Sequence, residues 1–342
     1  MRHILFLAER MSIGFGVSVV IGELARRLAI KGWQVTVGCR EYDSYFSGRC
    51  NVIQLEPNTN IVETYASKHN VGYVIAHTAP YFEVLPKLNG SFEKWAWEHG
   101  DPTPSLFPFD RDQRQNIIDY KRSHVYPHVD HVIAISKFVQ QDINWPLAQI
   151  IYNGCDHIEI KPPKKNLHNS LNVGALMRLD KIESFYKGGD RYIEIAKRLA
   201  LEGIPMNFEV LGRGTSREGN IFEQAGISTH LNATEEEKSK YLQDLDIFLS
   251  LSLWEGFNLP LVEAQASGKL AIAFDTGAHP EVTPFIVTNL NELKTLLIAL
   301  NNNRDLLYEY TVKSQQFCLK KFNWEATIDL TIELLLSKEP AR

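Results

Sequence analysis

Short apolar runs alternate with longer amphipathic or polar stretches along this chain. His3–Ala8, Gln34–Val37, Tyr73–Ala76, Lys94–Trp97, His131–Ile135 and Gln149–Tyr152 are such runs. Their near-continuous apolar character predicts strands of a parallel sheet covered on both faces. Between the first two runs, Val20, Leu24 and Leu28 recur at helical spacing, Glu23, Arg26, Arg27 and Lys31 fall elsewhere, and Gly32 supplies a stop. Strand, loop, helix and strand in that order open a doubly wound α/β domain. The pattern then restarts. Leu171–Leu176, Phe208–Gly212, Asp246–Ser252 and Leu270–Phe274 read as strands. Tyr192, Ile195, Ala196 and Leu199 line one helix, Leu293, Leu296, Leu297 and Leu300 another, and a last helix is expected over 325–337. Thr234 and Glu237 have capping-box spacing at the start of a further helix.

Between the two halves lie a turn, Asn153-Gly-Cys-Asp156, and a polar, proline-rich stretch, Lys161–Asn166, expected to be a linker. The predicted domains are therefore 1–160, completed by a C-terminal helix over 323–342, and 161–322. A length of 342 residues suits two domains, and a 44% apolar content suffices for two cores. The net charge of -5 argues against general nucleic-acid binding. Four scattered cysteines (Cys39, Cys50, Cys155, Cys318) show no metal or disulfide spacing and favour a reducing compartment. The first apolar run is too short for a signal peptide, and no run reaches the roughly 18 apolar residues that span a bilayer. The expectation is a cytoplasmic protein, with peripheral contact at the inner face of the membrane compatible with it.

The candidate chemistry centres on Glu255-Gly-Phe-Asn-Leu-Pro-Leu-Val-Glu263, which continues to Gly268. It reads as a loop carrying Gly256 followed by a helix opening near Leu259 and Pro260, with Asn258 a good capping residue. The amides of residues 257–260 then lie at the positive end of a helix, a place for an anion. Glu255 sits in the loop and Glu263 about one turn into the helix. Alone, such a pair is more often a loop acid and a helix acid than a site. Arg178 and Lys187 flank another strand-to-helix loop, where paired cations suit a diphosphate. Gly14-Phe-Gly16 suggests a dinucleotide fingerprint, but Val19 stands where its third glycine belongs and Cys39-Arg40 where an acid would close the second strand. The loop instead suits a close backbone approach to a ligand, or a plain tight turn. His77, His99 and Ser136 end strands, and His99 runs into the stiff turn Gly100-Asp-Pro-Thr-Pro104. Asp110-Arg-Asp112 and Asp244-Leu-Asp246 read as structural acids rather than metal ligands. Arg111, Arg114, Lys121 and Arg122 form a helix-like basic set, either a solvated face or a surface for anionic lipid or glycan. P-loop, nucleophile-elbow and H-E-x-x-H patterns are all lacking.

Together these features resemble the retaining glycosyltransferases of family 4, of GT-B fold. The family's E-G-F-G-L-P-x-x-E-A-x-x-x-G pattern is matched from Glu255 to Gly268, with Asn258 in place of its second glycine, and Ser252 precedes it. Arg178-Leu179 through Lys187-Gly188, Gly212 and Gly214, Asn153–Asp156, Gly277–Glu281 and Phe322-Asn-Trp324 match further elements. The resemblance implies two Rossmann-like domains facing each other across a cleft, and a hexosyltransferase-like enzyme that retains anomeric configuration without a metal. A UDP-, GDP- or ADP-sugar would be the donor. A glycan, lipid-linked or small-molecule hydroxyl would be the acceptor, and no nucleic-acid partner or separate cofactor is expected. It also implies roles. Glu263 would take the ribose hydroxyls. Arg178 and Lys187 would neutralise the departing diphosphate. Glu255 and the amides of Phe257, Asn258 and Leu259 would hold the sugar and nearby phosphate. His99 would lie near the sugar. Gly14 and Gly16 would face the phosphates or the acceptor. Two other readings stay open on the same scaffold: a sugar-nucleotide epimerase or hydrolase, and a non-catalytic nucleotide-sugar or glycan-binding protein.

Overall fold

The structure, a computed structural model, describes residues 2–166 and 170–337. The chain divides into two compact units. The first takes the residues up to Asn153 together with those from Trp324 onward, and the second runs from Gly154 to Asn323.

The first unit is built on seven strands: β1 (His3–Met11), β2 (Gln34–Tyr42), β3 (Val52–Gln54), β4 (Tyr73–Ala76), β5 (Glu93–Glu98), β6 (His131–Ala134) and β7 (Gln149–Ile150). They lie in the order β3-β2-β1-β4-β5-β6-β7, and every pairing is parallel. The continuous apolar runs are explained by burial on both faces: Ile4, Leu5, Phe6 and Leu7 in β1 are wholly inaccessible. The helix Gly16–Ile30 buries Val20, Ile21, Leu24 and Leu28, as its spacing predicts. The helix Trp324–Leu336 packs into this same unit. Trp324, Ile328 and Leu335 are buried, the Tyr73 hydroxyl donates to the Leu335 carbonyl at 2.6 Å, and the Thr327 hydroxyl donates to the Tyr152 carbonyl at 2.7 Å. Residues 338–342 of the expected final helix lie outside the described residues.

The second unit has six parallel strands: β8 (Leu171–Leu176), β9 (Met206–Gly212), β10 (Ser228–Leu231), β11 (Ile247–Ser250), β12 (Leu270–Phe274) and β13 (Ile286–Val287). Their order is β10-β9-β8-β11-β12-β13. Strand order reverses between β8 and β11, and the crevice outside the carboxyl ends of such strands is where open α/β sheets bind ligands. The core gathers Val173, Tyr192, Ile195, Leu199, Val210, Leu249, Ile272, Leu293 and Leu297.

The division falls at Asn153/Gly154, earlier than the 160/161 boundary expected from composition. The stretch 154–166 is polar but fastened to the second unit. Cys155 N–H donates to the Phe322 carbonyl at 3.3 Å, Lys161 N–H donates to the Ala266 carbonyl at 3.3 Å, and the Gln315 amide donates to the Lys161 carbonyl at 2.5 Å. A second difference lies between Arg178 and Lys187. The expected loop contains a short helix, Lys181–Tyr186, because the Asp180 carboxylate accepts from the amides of Ile182 and Glu183 and caps it.

Candidate active site

Two loops meet at the carboxyl edge of the second sheet, one after β8 and one after β11. Close backbone packing sets both. A Cβ on Gly212, at the end of β9, would stand 1.8 Å from the Met177 carbonyl oxygen, so only glycine lets β9 run beside the first loop. The loop carries Arg178, whose guanidinium is paired with the Glu183 carboxylate. It ends at Lys187 and Gly188. Gly188 has φ 78°, and a Cβ there would stand 2.1 Å from the Leu251 carbonyl oxygen. This approach brings Lys187 across to the second loop, where its ammonium donates to Glu255 Oε1 at 2.8 Å. The Ser252 hydroxyl donates to the same oxygen, also at 2.8 Å. Glu255 is buried, 6% exposed. Burial alone would pull the Lys187 ammonium down, but the Glu255 carboxylate beside it outweighs that and holds it above the ordinary lysine value. Behind Glu255 lies the turn Gly277-Ala278. Ala278 N–H donates to the Glu255 carbonyl at 2.9 Å, and Gly277, at φ 57°, has no room for a Cβ against that same backbone.

The loop then passes through Gly256 and Phe257, both buried, the Phe257 ring edge-on to Phe322 at 5.2 Å. Asn258 follows in the left-handed region, at φ 73° and ψ 74°. Asparagine is among the few non-glycine residues that adopt it readily, which is how it stands in a glycine's place. Its side chain faces the protein. Oδ1 accepts from the Leu261 amide at 3.2 Å, capping the helix Leu259–Ala266. Nδ2 donates to the Ser250 hydroxyl at 2.7 Å and lies 3.0 Å from His279 Nε2. His279 Nδ1 is 2.9 Å from the Phe274 carbonyl, so it carries the proton and Nε2 accepts from Asn258. Burial holds the His279 ring below the ordinary histidine value, consistent with that neutral tautomer. With both amide protons and Oδ1 engaged, Asn258 fixes the loop from within and does not read a ligand hydroxyl through its side chain.

One turn into the helix, Glu263 is 2% exposed. Its Oε1 is met by His157 Nε2 at 2.8 Å and by the Lys238 ammonium at 3.2 Å. Its Oε2 is buried with no hydrogen-bond partner. Burial alone would raise this carboxyl, but Lys238 and then His157 hold it down to about 2, so it is ionised at neutral pH. Gly214, beside the same edge, donates its amide to Asn232 Oδ1 at 3.2 Å.

The second sheet thus brings together Arg178, Lys187, Gly212, Gly214, Glu255, Gly256, Phe257, Asn258, Leu259 and Glu263. Gly14, Gly16 and His99 belong to the first unit. There Gly14 has φ 83°, and Gly16 opens the first helix. Ser12 and Ile13 in the same loop donate their amides to the Ser18 hydroxyl at 3.0 Å and to the Asp43 carboxylate at 2.8 Å. His99 Nε2 lies 3.1 Å from His77 Nδ1, and the His77 ring stacks on Trp97. Burial, and then the nearby Lys121, push His99 down to about 3. It is a neutral group at physiological pH. Of the D-x-D acids, Asp246 accepts from the Asn166 side chain at 2.6 Å and the Asn172 amide at 2.8 Å, and Asp110 pairs with Arg114 at 2.9 Å.

Several groups at the site lay outside the sequence expectations: Glu183, His157, Lys238 and His279. Lys238 directly follows the Glu237 of the capping box, and His157 follows the Asn153–Asp156 turn. Neither position signals its partner, which lies 25 and 106 residues away respectively.

The two parallel sheets with their helices have the GT-B architecture of solved glycosyltransferases. The model of the family glycosyl transferases group 1 matches residues 183–284. That region holds Lys187, Gly212, Gly214 and the whole Glu255–Glu263 stretch. Among curated proteins, the poly(ribitol-phosphate) alpha-N-acetylglucosaminyltransferase of Staphylococcus aureus (strain COL) is 21% identical over 222 residues, 61% of this chain. The match spans 44% of that protein, less than half its length. Sucrose-phosphate synthase from Thermosynechococcus elongatus superposes with a TM-score of 0.81 at 16% identity, over 98% of this chain and 99% of that one. Anabaena HepE, solved with UDP and glucose, superposes with a TM-score of 0.77 at 17% identity, over 98% of this chain and 100% of that one. Among the described residues, no helix is long and apolar enough to cross a membrane.

Proposed function

We propose that this enzyme moves a sugar from a nucleotide-diphosphate donor to a hydroxyl acceptor, with retention of anomeric configuration and without a metal ion. The observation that carries the reading is the Lys187–Glu255 contact across the β8/β11 switch point, at 2.8 Å. It sets a charged ammonium and a buried carboxylate side by side at a ligand-binding sheet edge. A lysine ammonium has three N–H groups, and Glu255 takes one. The others can meet a phosphate. Breaking the glycosidic C–O bond leaves an oxocarbenium-like sugar and loads negative charge on the departing diphosphate. Lys187, together with Arg178, stabilises that charge. Glu255, with the amides of Phe257, Asn258 and Leu259, holds the transferred sugar and the phosphate beside it. The ionised Glu263 offers its unpartnered Oε2 to a ribose hydroxyl. His99 is neutral, so any part it takes in sugar binding, like that of the Gly14–Gly16 loop toward phosphates or acceptor, is the role the family resemblance implies for the first unit. The leaving phosphate oxygen takes the acceptor proton, so no side chain is assigned as base.

UDP-sugars are the first donors to test, since HepE was solved with UDP and glucose. The similarity to the S. aureus poly(ribitol-phosphate) glycosyltransferase makes a polyol phosphate polymer a reasonable acceptor probe. The proposed setting is the cytoplasm, at or near the inner face of the membrane. The experiment follows release of nucleoside diphosphate from UDP-, GDP- and ADP-sugars, with Lys187→Ala alongside. The expected result is turnover of one donor class and a fall of roughly 100- to 1000-fold in the variant. Tight donor binding with no release under any acceptor would favour a binding protein instead. Undiminished release in Lys187→Ala would remove its leaving-group role.

A further inference from the structure

Both cations assigned to the departing diphosphate already hold a carboxylate, and the two carboxylates are not alike. Glu255, on Lys187, is buried and takes a second hydrogen bond from Ser252. Glu183, on Arg178, is half-buried, and its Oε2 has no hydrogen-bond partner. The backbone that carries Glu183 is fixed independently of that ion pair. Asp180 Oδ1 accepts from the amides of Ile182 at 3.2 Å and Glu183 at 3.1 Å. At the other end of the same short helix, Lys187 N–H donates to the Glu183 carbonyl at 2.9 Å, and Leu253 N–H donates to the Tyr186 carbonyl at 2.7 Å. The Arg178 and Glu183 side chains keep 35% and 21% of their surface in water, so the pair can open without unfolding anything. Ion pairs this exposed contribute little to stability.

A fixed carboxylate on this guanidinium would oppose a diphosphate; a carboxylate that can swing aside need not. Carboxylate and phosphate both fit the guanidinium fork, and the fork makes a two-point contact with one of them at a time. A nucleotide-sugar donor and the nucleoside diphosphate left after transfer carry the same two phosphates. Groups that capture the first therefore also retain the second, and a side chain that reclaims Arg178 relieves that retention. We propose that Glu183 is an internal competitor for the diphosphate. It holds Arg178 in the empty protein, gives it up when a diphosphate binds, and takes it back as the diphosphate leaves. Naming that ligand a leaving product rests on the glycosyl-transfer reading; the exchange at Arg178 needs only a diphosphate.

Isothermal titration of the intact protein with UDP and with inorganic pyrophosphate tests it. Glu183→Gln keeps the shape and removes the charge, Arg178→Ala removes the contested group, and a double variant combines them. Glu183→Gln is expected to bind both probes at least about fivefold tighter than the wild type, as loss of a neighbouring like charge predicts. Arg178→Ala should bind them more weakly, and adding Glu183→Gln to it should gain less than about twofold. Affinity unchanged or weakened in Glu183→Gln would overturn the proposal, because a carboxylate that merely orients Arg178 lowers affinity when lost. An equal gain with and without Arg178 would overturn it too, since that marks a general repulsion and not an exchange. Absence of binding in all four proteins would overturn it together with the donor reading. Binding that tightens in Glu183→Gln, with no sugar transferred from any donor, would overturn the enzymatic reading and leave this one standing.

Discussion

Asn258 decides the geometry of the Glu255 loop by two independent properties. Its backbone accepts a left-handed conformation, and its side chain caps one helix while tying Ser250 to His279. Glycine would satisfy the first and forfeit the second. Alanine would forfeit both. Asn258→Gly should therefore cost about 1–2 kcal/mol, chiefly the lost side-chain hydrogen bonds. Asn258→Ala should cost about 1–2 kcal/mol beyond that, for the left-handed backbone. Urea unfolding of the three proteins measures both, and a glycine variant as stable as the wild type would show that the side-chain bonds are inert. The sequence marks Asn258 as a departure from a glycine pattern and as a capping type. It does not reveal that the amide turns inward, because Ser250 and His279 become its neighbours only through the packing of β11 against the β12 loop. Glu263 is similar. Its place on the helix is readable from spacing, while the ionised state set by Lys238 and His157 depends on contacts that no local pattern encodes.

At the level of elements, the strands with long apolar runs are legible, and of the four edge strands only β7 is. β3, β10 and β13 have three, four and two residues, and Ser228–Leu231 in β10 is exposed or half-buried throughout. Such edges gain order from a neighbouring strand rather than from their own composition. Glycines in the connections are readable as turns, but which of them are blocked is not. Gly188 and Gly203 both have positive φ, 78° and 67°, yet only Gly188 faces another backbone, and nothing stands within 4 Å of a Cβ at Gly203. Substitution by alanine should separate the two effects. Gly203→Ala should cost about 1 kcal/mol for its backbone angle alone. Gly188→Ala must also displace the Leu251 carbonyl, and should exceed the Gly203 variant by at least about 2 kcal/mol. Thermal unfolding of both compares them, and equal losses would mean that the β11 loop yields without strain. Because Lys187 precedes Gly188, the same displacement disturbs the Lys187–Glu255 contact.

For the whole molecule, the informative feature is that the first unit is discontinuous in sequence. Its last helix returns from beyond the second unit, and the hydrophobic pattern alone does not say to which sheet that helix packs. The Phe322-Asn-Trp324 resemblance is what points it back to the first domain. In the structure Trp324 and Ile328 are wholly inaccessible and Leu335 nearly so, all within the first unit. Burying three such side chains is worth about 1.5–3 kcal/mol each, and the sum approaches the roughly 5–15 kcal/mol that holds a typical domain folded. A chain ended after Asn323 should therefore lose the first unit and keep the second, whose core lies wholly between Gly154 and Asn323. Limited trypsin digestion should leave a protected fragment close to 154–323 while the first 153 residues are degraded. The near-UV signal of the buried Trp95 and Trp97 should disappear with them. Since the proposed donor groups Arg178, Lys187, Glu255 and Glu263 all belong to the second unit, the shortened protein should still be stabilised against heat by the donor's nucleoside diphosphate, though it transfers no sugar. A truncated chain whose first unit resists trypsin as the full chain does would show that the last helix is an accessory to that sheet and not part of its core.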